Sequence, residues 1–337
     1  TSGGDASILV FSPNGNAVEF ATFLGGSQIE TGVNVMFNSQ NQLYVVLATR
    51  SPNYPTTANS LDPAGSNQFH FALSLLSDDG TTLLASTNIK GTNIDLNAFI
   101  LDNNENVILY GRTDNLPYAL PGTAYNAVPQ NPGSEIYLLK LNPLLSTIVA
   151  GTYVGAAGAA IDLIYNKALD EIVIAGGSGN FPATNNVFSN TGGTFLARFD
   201  NQLTQLRACA KTNDIISNIG CDGYGYVYAV GKGDPVPSPN VYSHISGIGF
   251  ISKICGNLSQ LVLETQVGGS NINYPMNLQV SDAGYCFMYS EYRIPNWWPI
   301  ATDADISANA FAQMGAFYFQ VLEPDFASSV FTTFLGS

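Results

Sequence analysis

The chain has 337 residues, of which 45% are apolar and only 11% are charged. Its 25 acidic and 11 basic residues give a net charge of −14, which argues against nucleic acid or anionic lipid as a partner, because both require clustered Lys and Arg. No apolar run reaches the roughly 18 residues of a membrane span, so no direct membrane insertion is expected. Low charge and many Asn, Thr, Gly, Tyr and Phe residues are typical of an extracellular β protein.

One short phrase occurs near both ends of the chain. Residues 22–26 read Thr-Phe-Leu-Gly-Gly and residues 333–336 read Thr-Phe-Leu-Gly. Weaker copies lie between them, at 85–91, 151–155, 208–211 and 264–269. Self-similarity at a roughly fixed period indicates a repeat architecture.

Each repeat contains four short runs with strand character. The first run is the phrase above, preceded in the first copy by alternating residues such as Val18 and Phe20. The second run leads into a polar turn such as 102–106, which is a hairpin signal. The third run is the most apolar, as in 107–111, and indicates a strand buried on both faces. The fourth run, as in 136–141, has an additional copy at 7–11.

The loop between the third and fourth runs also repeats. It carries an apolar or aromatic residue before proline, at Tyr54-Pro55, Leu116-Pro117, Phe181-Pro182, Val236-Pro237 and Trp298-Pro299. A smaller echo follows each pair, at 58–61, 124–125, 186–188, 240–242 and 309–311. Trp298 takes the place of Tyr54 and Phe181 in this alignment, and we expect these three residues to fill the space between neighbouring repeats.

Four strands per repeat of about 55 to 65 residues predict an all-β fold, a β-propeller of four-stranded blades. The second and third runs occur five times and the first and fourth six times, which predicts five complete blades and a split or incomplete sixth. In a single domain 1–337, the predicted blades are 17–80, 81–145, 146–203, 204–258 and 259–327, with the split blade at 5–16 and 328–337. Because that blade lacks two middle strands, we expect a longer polypeptide or a neighbouring element to complete it. The alternative is a distorted ring with the last strand inserted differently.

Several of these segments resemble the bacterial β-propeller repeat known as the SBBP repeat. They are the phrase at 22–26, the turn and strand at 102–113, the Asn-Phe-Pro-Ala-Thr loop at 180–184 and the Phe-Leu-Ala-Arg-Phe-Asp strand at 195–200. The basic residue of the fourth strand stands at Lys140, Arg198 and Lys253, and is replaced at Ser74, Gln320 and Val10. The resemblance implies a secreted or surface protein, similar to gliding-motility or type IX-secreted proteins, with no shared catalytic residue.

The search for catalytic and metal-binding residues is mostly negative. The two histidines, His70 and His244, have no nucleophile elbow beside them and are interpreted as structural or exposed. No Cys/His spacing predicts zinc, and no EF-hand loop is present, although an acidic chain with oxygen-rich turns could bind Ca²⁺. The sequence does not exclude a catalytic pair of carboxylates of the kind that glycosidases use. We therefore expect no catalytic residue, no metal site and no cofactor other than possible Ca²⁺.

Two local features complete the sequence-based predictions. The loop around both tryptophans offers Tyr292, Arg293, Asn296 and Trp297 as binding residues, because exposed aromatic residues are typical interface anchors, with packing an equal alternative. Cys209 and Cys221 would stand at the two ends of a predicted hairpin centred on Ile215 and form a candidate disulfide. Cys255 and Cys286 are weaker candidates, with buried thiols as the alternative.

These observations predict a non-catalytic extracellular interaction module. The expected role is adhesion or docking within a bacterial cell-surface, secretion or motility assembly, with a protein or glycan as the partner. The alternative is a lectin or carbohydrate-active enzyme that uses the propeller face or channel.

Overall fold

In a computed structural model of the chain, the described residues are 4–131, 133–177, 181–243, 248–268, 272–292 and 317–335. Within these ranges the named secondary-structure elements are all β strands, which confirms the all-β prediction. The chain divides into two compact units. The first unit is Thr1–Ala157 with Gln202–Thr204, and the second is Gly158–Asn201 with Gln205–Ser337.

The first unit contains one two-stranded and two four-stranded antiparallel sheets. The short sheet consists of β1 (Ala6–Phe11) and β2 (Val18–Leu24). The next consists of β3 (Glu30–Phe37), β4 (Leu43–Thr49), β5 (His70–Leu76) and β6 (Leu83–Ile89). The third consists of β7 (Asp95–Leu101), β8 (Val107–Thr113), β9 (Glu135–Leu141) and β10 (Ile148–Tyr153).

The second unit contains three four-stranded antiparallel sheets. Their strands are β11 (Ala159–Asn166), β12 (Glu171–Gly177), β13 (Thr194–Asp200) and β14 (Leu206–Thr212), then β15 (Ile215–Cys221), β16 (Val227–Lys232), β17 (Gly249–Ile254) and β18 (Leu261–Val267), and then β19 (Ile272–Val280), β20 (Cys286–Tyr292), β21 (Phe317–Leu322) and β22 (Ser329–Leu335). In all five four-stranded sheets the strands pair in chain order, so the chain folds as consecutive meanders.

The two middle strands of each complete sheet supply most of the core. All seven residues of β4 are buried, as are residues 107–111 of β8, which confirms that these third runs are covered on both faces. The fourth runs in β5 and β9 are buried along their whole length as well. The first strand of every four-stranded sheet carries a β-bulge, as between Ala160 and Asp162 in β11. A bulge bends its strand and turns a side chain in a new direction. Asp162 thereby reaches the backbone N–H of Ile219 in the next sheet, at 2.8 Å.

The sheet boundaries differ from the predicted ones by one strand. The prediction grouped β2 with β3, β4 and β5, whereas the structure pairs β5 with β6 and leaves β2 with β1. The last strand, β22, pairs with β21 and completes a four-stranded sheet, so the predicted split blade at 5–16 and 328–337 is not formed. The strand that follows each fourth run pairs with that run as a hairpin. Because short connections join this strand both to the strand before it and to the strand after it, the sequence alone did not show to which sheet it belongs.

Three of the echo segments link neighbouring sheets within a unit. Each of these three donates a backbone N–H to the carbonyl of a residue in the last hairpin turn of the next sheet: Leu61 to Leu145 at 2.9 Å, Phe188 to Leu258 at 2.9 Å and Tyr242 to Phe326 at 2.6 Å. The three acceptors have left-handed φ angles of 56°, 60° and 58° although none is glycine. All three are fully buried. Apolar packing of these side chains therefore holds a backbone shape that non-glycine residues rarely adopt.

The residues before proline are buried in three of the four described repeats. Tyr54, Leu116 and Phe181 are buried, as expected of residues that fill space. Phe181 packs its ring against Phe195, with 4.8 Å between centroids. Val236, at the same place in another repeat, is 88% exposed.

The predicted hairpin between Cys209 and Cys221 is wrong. Cys209 lies in β14, which pairs with β13, and Cys221 lies in β15, which pairs with β16 in a different sheet. Both residues are free thiols in the structure, as are Cys255 and Cys286. The candidate disulfide required a strand pairing that the fold does not contain.

Candidate functional site

The two-stranded sheet differs from every other sheet because it stops at half the size. A short turn at 12–17 joins its strands, with the Gly15 N–H donating to the Ser12 carbonyl at 2.7 Å. Gly15 has a φ of 70°, which glycine adopts without the strain that a side chain brings. The pairing runs from Ala6 opposite Leu24 to Val10 opposite Phe20.

One face of this sheet packs on the neighbouring four-stranded sheet. Ala6, Ile8 and Leu24 are buried there, and they share an apolar cluster with Leu43, Val45, Leu47, Tyr54, Ala72 and Leu76. Burial raises the pKa of Tyr54 to about 12, against the hydrogen bond with Ser74, and the charge of Glu30 acts in the same direction as burial. The Tyr54 phenol therefore stays neutral at physiological pH.

The opposite face of the same sheet is apolar and open to solvent. Leu9 is 52% exposed, Phe11 54% and Phe23 73%. These residues alternate with buried ones along β1 and β2, as the period of two in a strand requires. In a sheet with one covered face the second face is normally polar, so three large apolar residues here are unusual.

The sheet also has a free edge on β1. Among the described strands, β1 pairs with β2 alone. The strands in the corresponding place of the complete sheets, β5, β9, β13, β17 and β21, pair on both sides. An unpaired edge presents backbone N–H and C=O groups that can accept a further strand.

The chain after β2 is fastened to the loop after β4. The N–H groups of Ser27 and Gln28 donate to Asn53 Oδ1 and Ser51 Oγ, each at 2.9 Å. A Cβ at Gly26 would come within 2.6 Å of the Ser51 Cβ, so no side chain fits there. The repeated Gly-Gly phrase thus has a local cause in this copy: close approach of the backbone to polar side chains.

Most of the predicted binding residues lie outside the described part of the chain, so their prediction stays untested. Arg293, Asn296 and Trp297 lie outside the described residues, as does Trp298. Tyr292 is the last residue of β20, where its backbone pairs with Ile272. The exposed face of β1 and β2 was missed in the sequence because Leu9, Phe11 and Phe23 were interpreted only as strand formers, although their alternation with buried residues was a usable signal.

One of the two histidines lies in the described part of the chain, where its ring is held by neighbouring residues. His70 is buried, with Nδ1 at 2.8 Å from the Gln68 carbonyl and Nε2 at 3.0 Å from Asn88 Oδ1, so both ring nitrogens have structural partners. His244 lies outside the described residues. Within the described ranges, no group of three or more His, Cys, Asp or Glu residues is arranged to hold a metal. No helix there has the length and apolar character to cross a bilayer.

Comparisons with known proteins place the chain by fold alone. No protein-family model and no curated protein matches it. A protein of unknown function from Bacteroides caccae is similar, with a TM-score of 0.50 and 8% identity over 97% of this chain and 89% of that one. The Neurospora crassa Pan2 WD40 domain gives a TM-score of 0.48 and 11% identity over 89% of this chain and 64% of that one, less than two thirds of its length. A Dos1 propeller gives 0.43 and 11%, over 88% and 81%.

The sheet topology supports a β-propeller fold. Consecutive four-stranded antiparallel meanders are the units from which propellers are built. The resemblance to the SBBP repeat stays a hypothesis from sequence, since no family model matches.

Proposed function

We propose that this chain is a non-catalytic extracellular β-propeller module, with five complete blades and one incomplete blade, that binds a protein partner at the β1–β2 sheet. In the context that the SBBP resemblance implies, the role is adhesion or docking in a bacterial cell-surface, secretion or gliding-motility assembly. The observation that carries the proposal is the half-sized sheet, which combines an exposed apolar face with an unpaired edge. The low charge of the chain supports an extracellular location.

The free edge specifies the shape of the partner. Each complete sheet has two strands on the side where β1 has no described neighbour. The element that fits is therefore a two-stranded hairpin whose second strand pairs antiparallel with β1. Strand addition of this kind gains affinity from main-chain hydrogen bonds and specificity from side chains on alternating positions.

The apolar face specifies the chemistry of that partner. Leu9, Phe11 and Phe23 lie on one face, and covering them removes a large apolar surface from water. A partner hairpin whose neighbouring residues are Val, Ile, Leu or Phe would extend that covered surface. A glycan would instead require several polar groups beside the aromatic rings, whereas the strand period places two polar residues, Ser7 and Glu19, on this face.

A synthetic hairpin provides a defined probe. Residues 159–177 of this chain form the first hairpin of a complete sheet, β11 with β12. In that sheet β12 pairs with β13, which has the same place as β1, so this hairpin corresponds to the two strands that β1 has no partner for. We expect the labelled peptide to bind the full chain, as measured by fluorescence anisotropy. We also expect bound peptide to slow amide hydrogen exchange in β1, because the new strand would protect that edge.

Matched variants distinguish binding at this face from non-specific binding of the peptide to exposed apolar residues. Leu9→Lys and Phe23→Ser should each weaken peptide binding at least tenfold, whereas Val128→Ser, at a residue that is 63% exposed in a loop of the same unit, should not. The proposal is overturned if the peptide leaves exchange in β1 unchanged, or if the chain self-associates through β1 so that dilution alone exposes the edge. Binding on a glycan array that Phe23→Ser leaves intact would favour the lectin alternative.

A further inference from the structure

Glu30, the first residue of β3, is a buried carboxylate with one unsatisfied oxygen. The residue is 6% exposed. Its Oε1 accepts hydrogen bonds from Thr49 Oγ1 and Ser51 Oγ, both at 2.7 Å. Its Oε2 is enclosed and has no hydrogen-bond partner among the described residues. A buried carboxylate oxygen without a partner is costly, and a water molecule or an ion is the usual partner of such a group in a native fold.

A second carboxylate approaches the same place. The Glu30 N–H donates to the Gly4 carbonyl at 3.0 Å, which holds the chain before β1 against β3. A Cβ placed on Gly25 would lie 2.4 Å from Asp5 Oδ1 and 2.5 Å from Glu30 Oε2. The two oxygens therefore lie within about 5 Å of each other, where two like charges repel unless a cation lies between them.

Another buried glutamate shows what a satisfied carboxylate looks like in this protein. Glu135 is fully buried. Its Oε2 accepts the backbone N–H groups of Gln130 at 2.5 Å and Asn131 at 2.7 Å, and its Oε1 accepts that of Gly155 at 2.7 Å. Both oxygens of Glu135 thus accept hydrogen bonds from N–H groups, and none of the three donors belongs to an acidic residue. Glu30 differs because it faces a second carboxylate where Glu135 faces donors.

We propose that Glu30 Oε2 and Asp5 Oδ1 are ligands of a divalent, calcium-type cation. Asp5 is exposed, so the ion can enter from solvent, while Glu30 supplies the buried ligand. Calcium takes six to eight oxygen ligands and accepts water among them, so two carboxylates suffice for a site of modest affinity. The ion would join the chain before β1 and the turn after β2 to the first strand of the next sheet. It would thereby fasten the half-sized sheet through charge as well as through apolar packing.

Calcium titration tests the site directly. We expect isothermal titration calorimetry with CaCl₂ to show one ion bound per chain at micromolar to millimolar concentration, the range of sensor and extracellular calcium sites. Asp5→Asn should weaken binding at least tenfold and is an exposed change that the fold tolerates. Glu30→Gln should do the same. Gly25→Ala keeps both carboxylates but places a methyl group against them, and should also weaken binding.

Asp79→Asn is the matched control, because it removes one exposed acidic charge in the same unit without touching the site. It should bind calcium as the unmodified chain does. Calcium should also raise the melting temperature of the unmodified chain and of Asp79→Asn, but not that of Asp5→Asn. The proposal is wrong if the unmodified chain binds no calcium at millimolar concentration, or if Asp5→Asn and Gly25→Ala bind it unchanged.

Discussion

Lys140 Nζ lies 2.6 Å from Asp102 Oδ2, and neither side chain exposes more than 1% of its surface. Asp102 also accepts the backbone N–H groups of Asn104 and Asn106 at 2.8 and 2.9 Å. The pair joins the turn between β7 and β8 to the middle strand β9 of the same sheet. The two opposite charges are thus buried and paired inside the sheet formed by β7, β8, β9 and β10.

Removal of one partner should expose the cost of this enclosed pair. Lys140→Met leaves the Asp102 charge buried without its cation, and should lower the free energy of unfolding by about 3–5 kcal/mol in urea titrations. Arg112→Met is the control, because Arg112 contacts Asp95 at 3.3 Å with 38% and 46% of the side chains exposed. Its loss should cost at most about 1 kcal/mol. Equal losses in both variants would contradict the enclosed state of the pair.

The same pair predicts a loss of stability in acid. Burial alone would raise the pKa of Asp102, but hydrogen bonds from Lys140 and Asn106 outweigh it and hold that pKa below its ordinary value of 3.8. A carboxyl with a lowered folded pKa stabilises the fold above its unfolded pKa, and this contribution disappears as the pH falls through the folded value. Urea midpoints should therefore fall below about pH 4. The double variant Lys140→Met with Asp102→Asn should have a shallower fall, and an unchanged slope would exclude this pair as a cause.

Asp162 should have the opposite dependence on pH. Burial raises its pKa to about 6, although the N–H groups of Ile219 and Leu163 donate to it and oppose the rise. The folded state then binds a proton more tightly than the unfolded state, so stability should decrease by about 1–3 kcal/mol as the pH rises from about 4 to about 6.

Asn218 offers a reciprocal test of Asp162. It follows the bulge of β15 as Asp162 follows that of β11, and its Oδ1 accepts the Leu278 N–H at 2.8 Å. Asp162→Asn should remove the dependence on pH between 4 and 6, and Asn218→Asp should add one. Urea midpoints measured across this range check both, and a slope that survives Asp162→Asn would assign the effect to another group.

Two glycines with the same backbone shape separate strain from crowding. Gly15 and Gly80 have φ angles of 70° and 69°. A Cβ at Gly15 meets nothing within 4 Å, whereas one at Gly80 would lie 2.3 Å from Phe20 Cδ2. Gly15→Ala should cost about 1–2 kcal/mol from strain alone. Gly80→Ala should cost at least about 1 kcal/mol more, because overpacking adds to strain, and should increase proteolysis within β1 and β2. Equal costs would contradict the packing of Phe20.

The cysteines should behave as buried thiols. Burial raises the pKa of Cys209 and of Cys286 to about 12, against the nearby charges of Lys211 and Lys253 respectively. Because the thiolate is the reactive form, both should resist alkylation until the chain is unfolded. Mass spectrometry of alkylated peptides measures this. A peptide that links Cys209 to Cys221 in native protein would contradict the separate sheets of β14 and β15.

The sequence predicted the strands better than their grouping. Runs such as 107–111 are apolar and β-branched, and burial alone determines their place, so β8 and its counterparts were found. The boundaries were shifted because the chain between β14 and β15 is only Asn213-Asp214, and so short a link is expected within a sheet as readily as between two. The Glu30 environment was hidden for another reason: its neighbours Gly4, Asp5 and Thr49 come together only when β1, β3 and β4 are assembled.

Three of the joints between neighbouring sheets of one unit are made by main-chain atoms. The carbonyls of Leu145, Leu258 and Phe326 accept N–H groups from the preceding loop, and their side chains need only be bulky and apolar. Substitution of one bulky apolar residue for another at these positions therefore leaves the three joints in place, so a repeat can change in sequence without losing its connection to the next sheet.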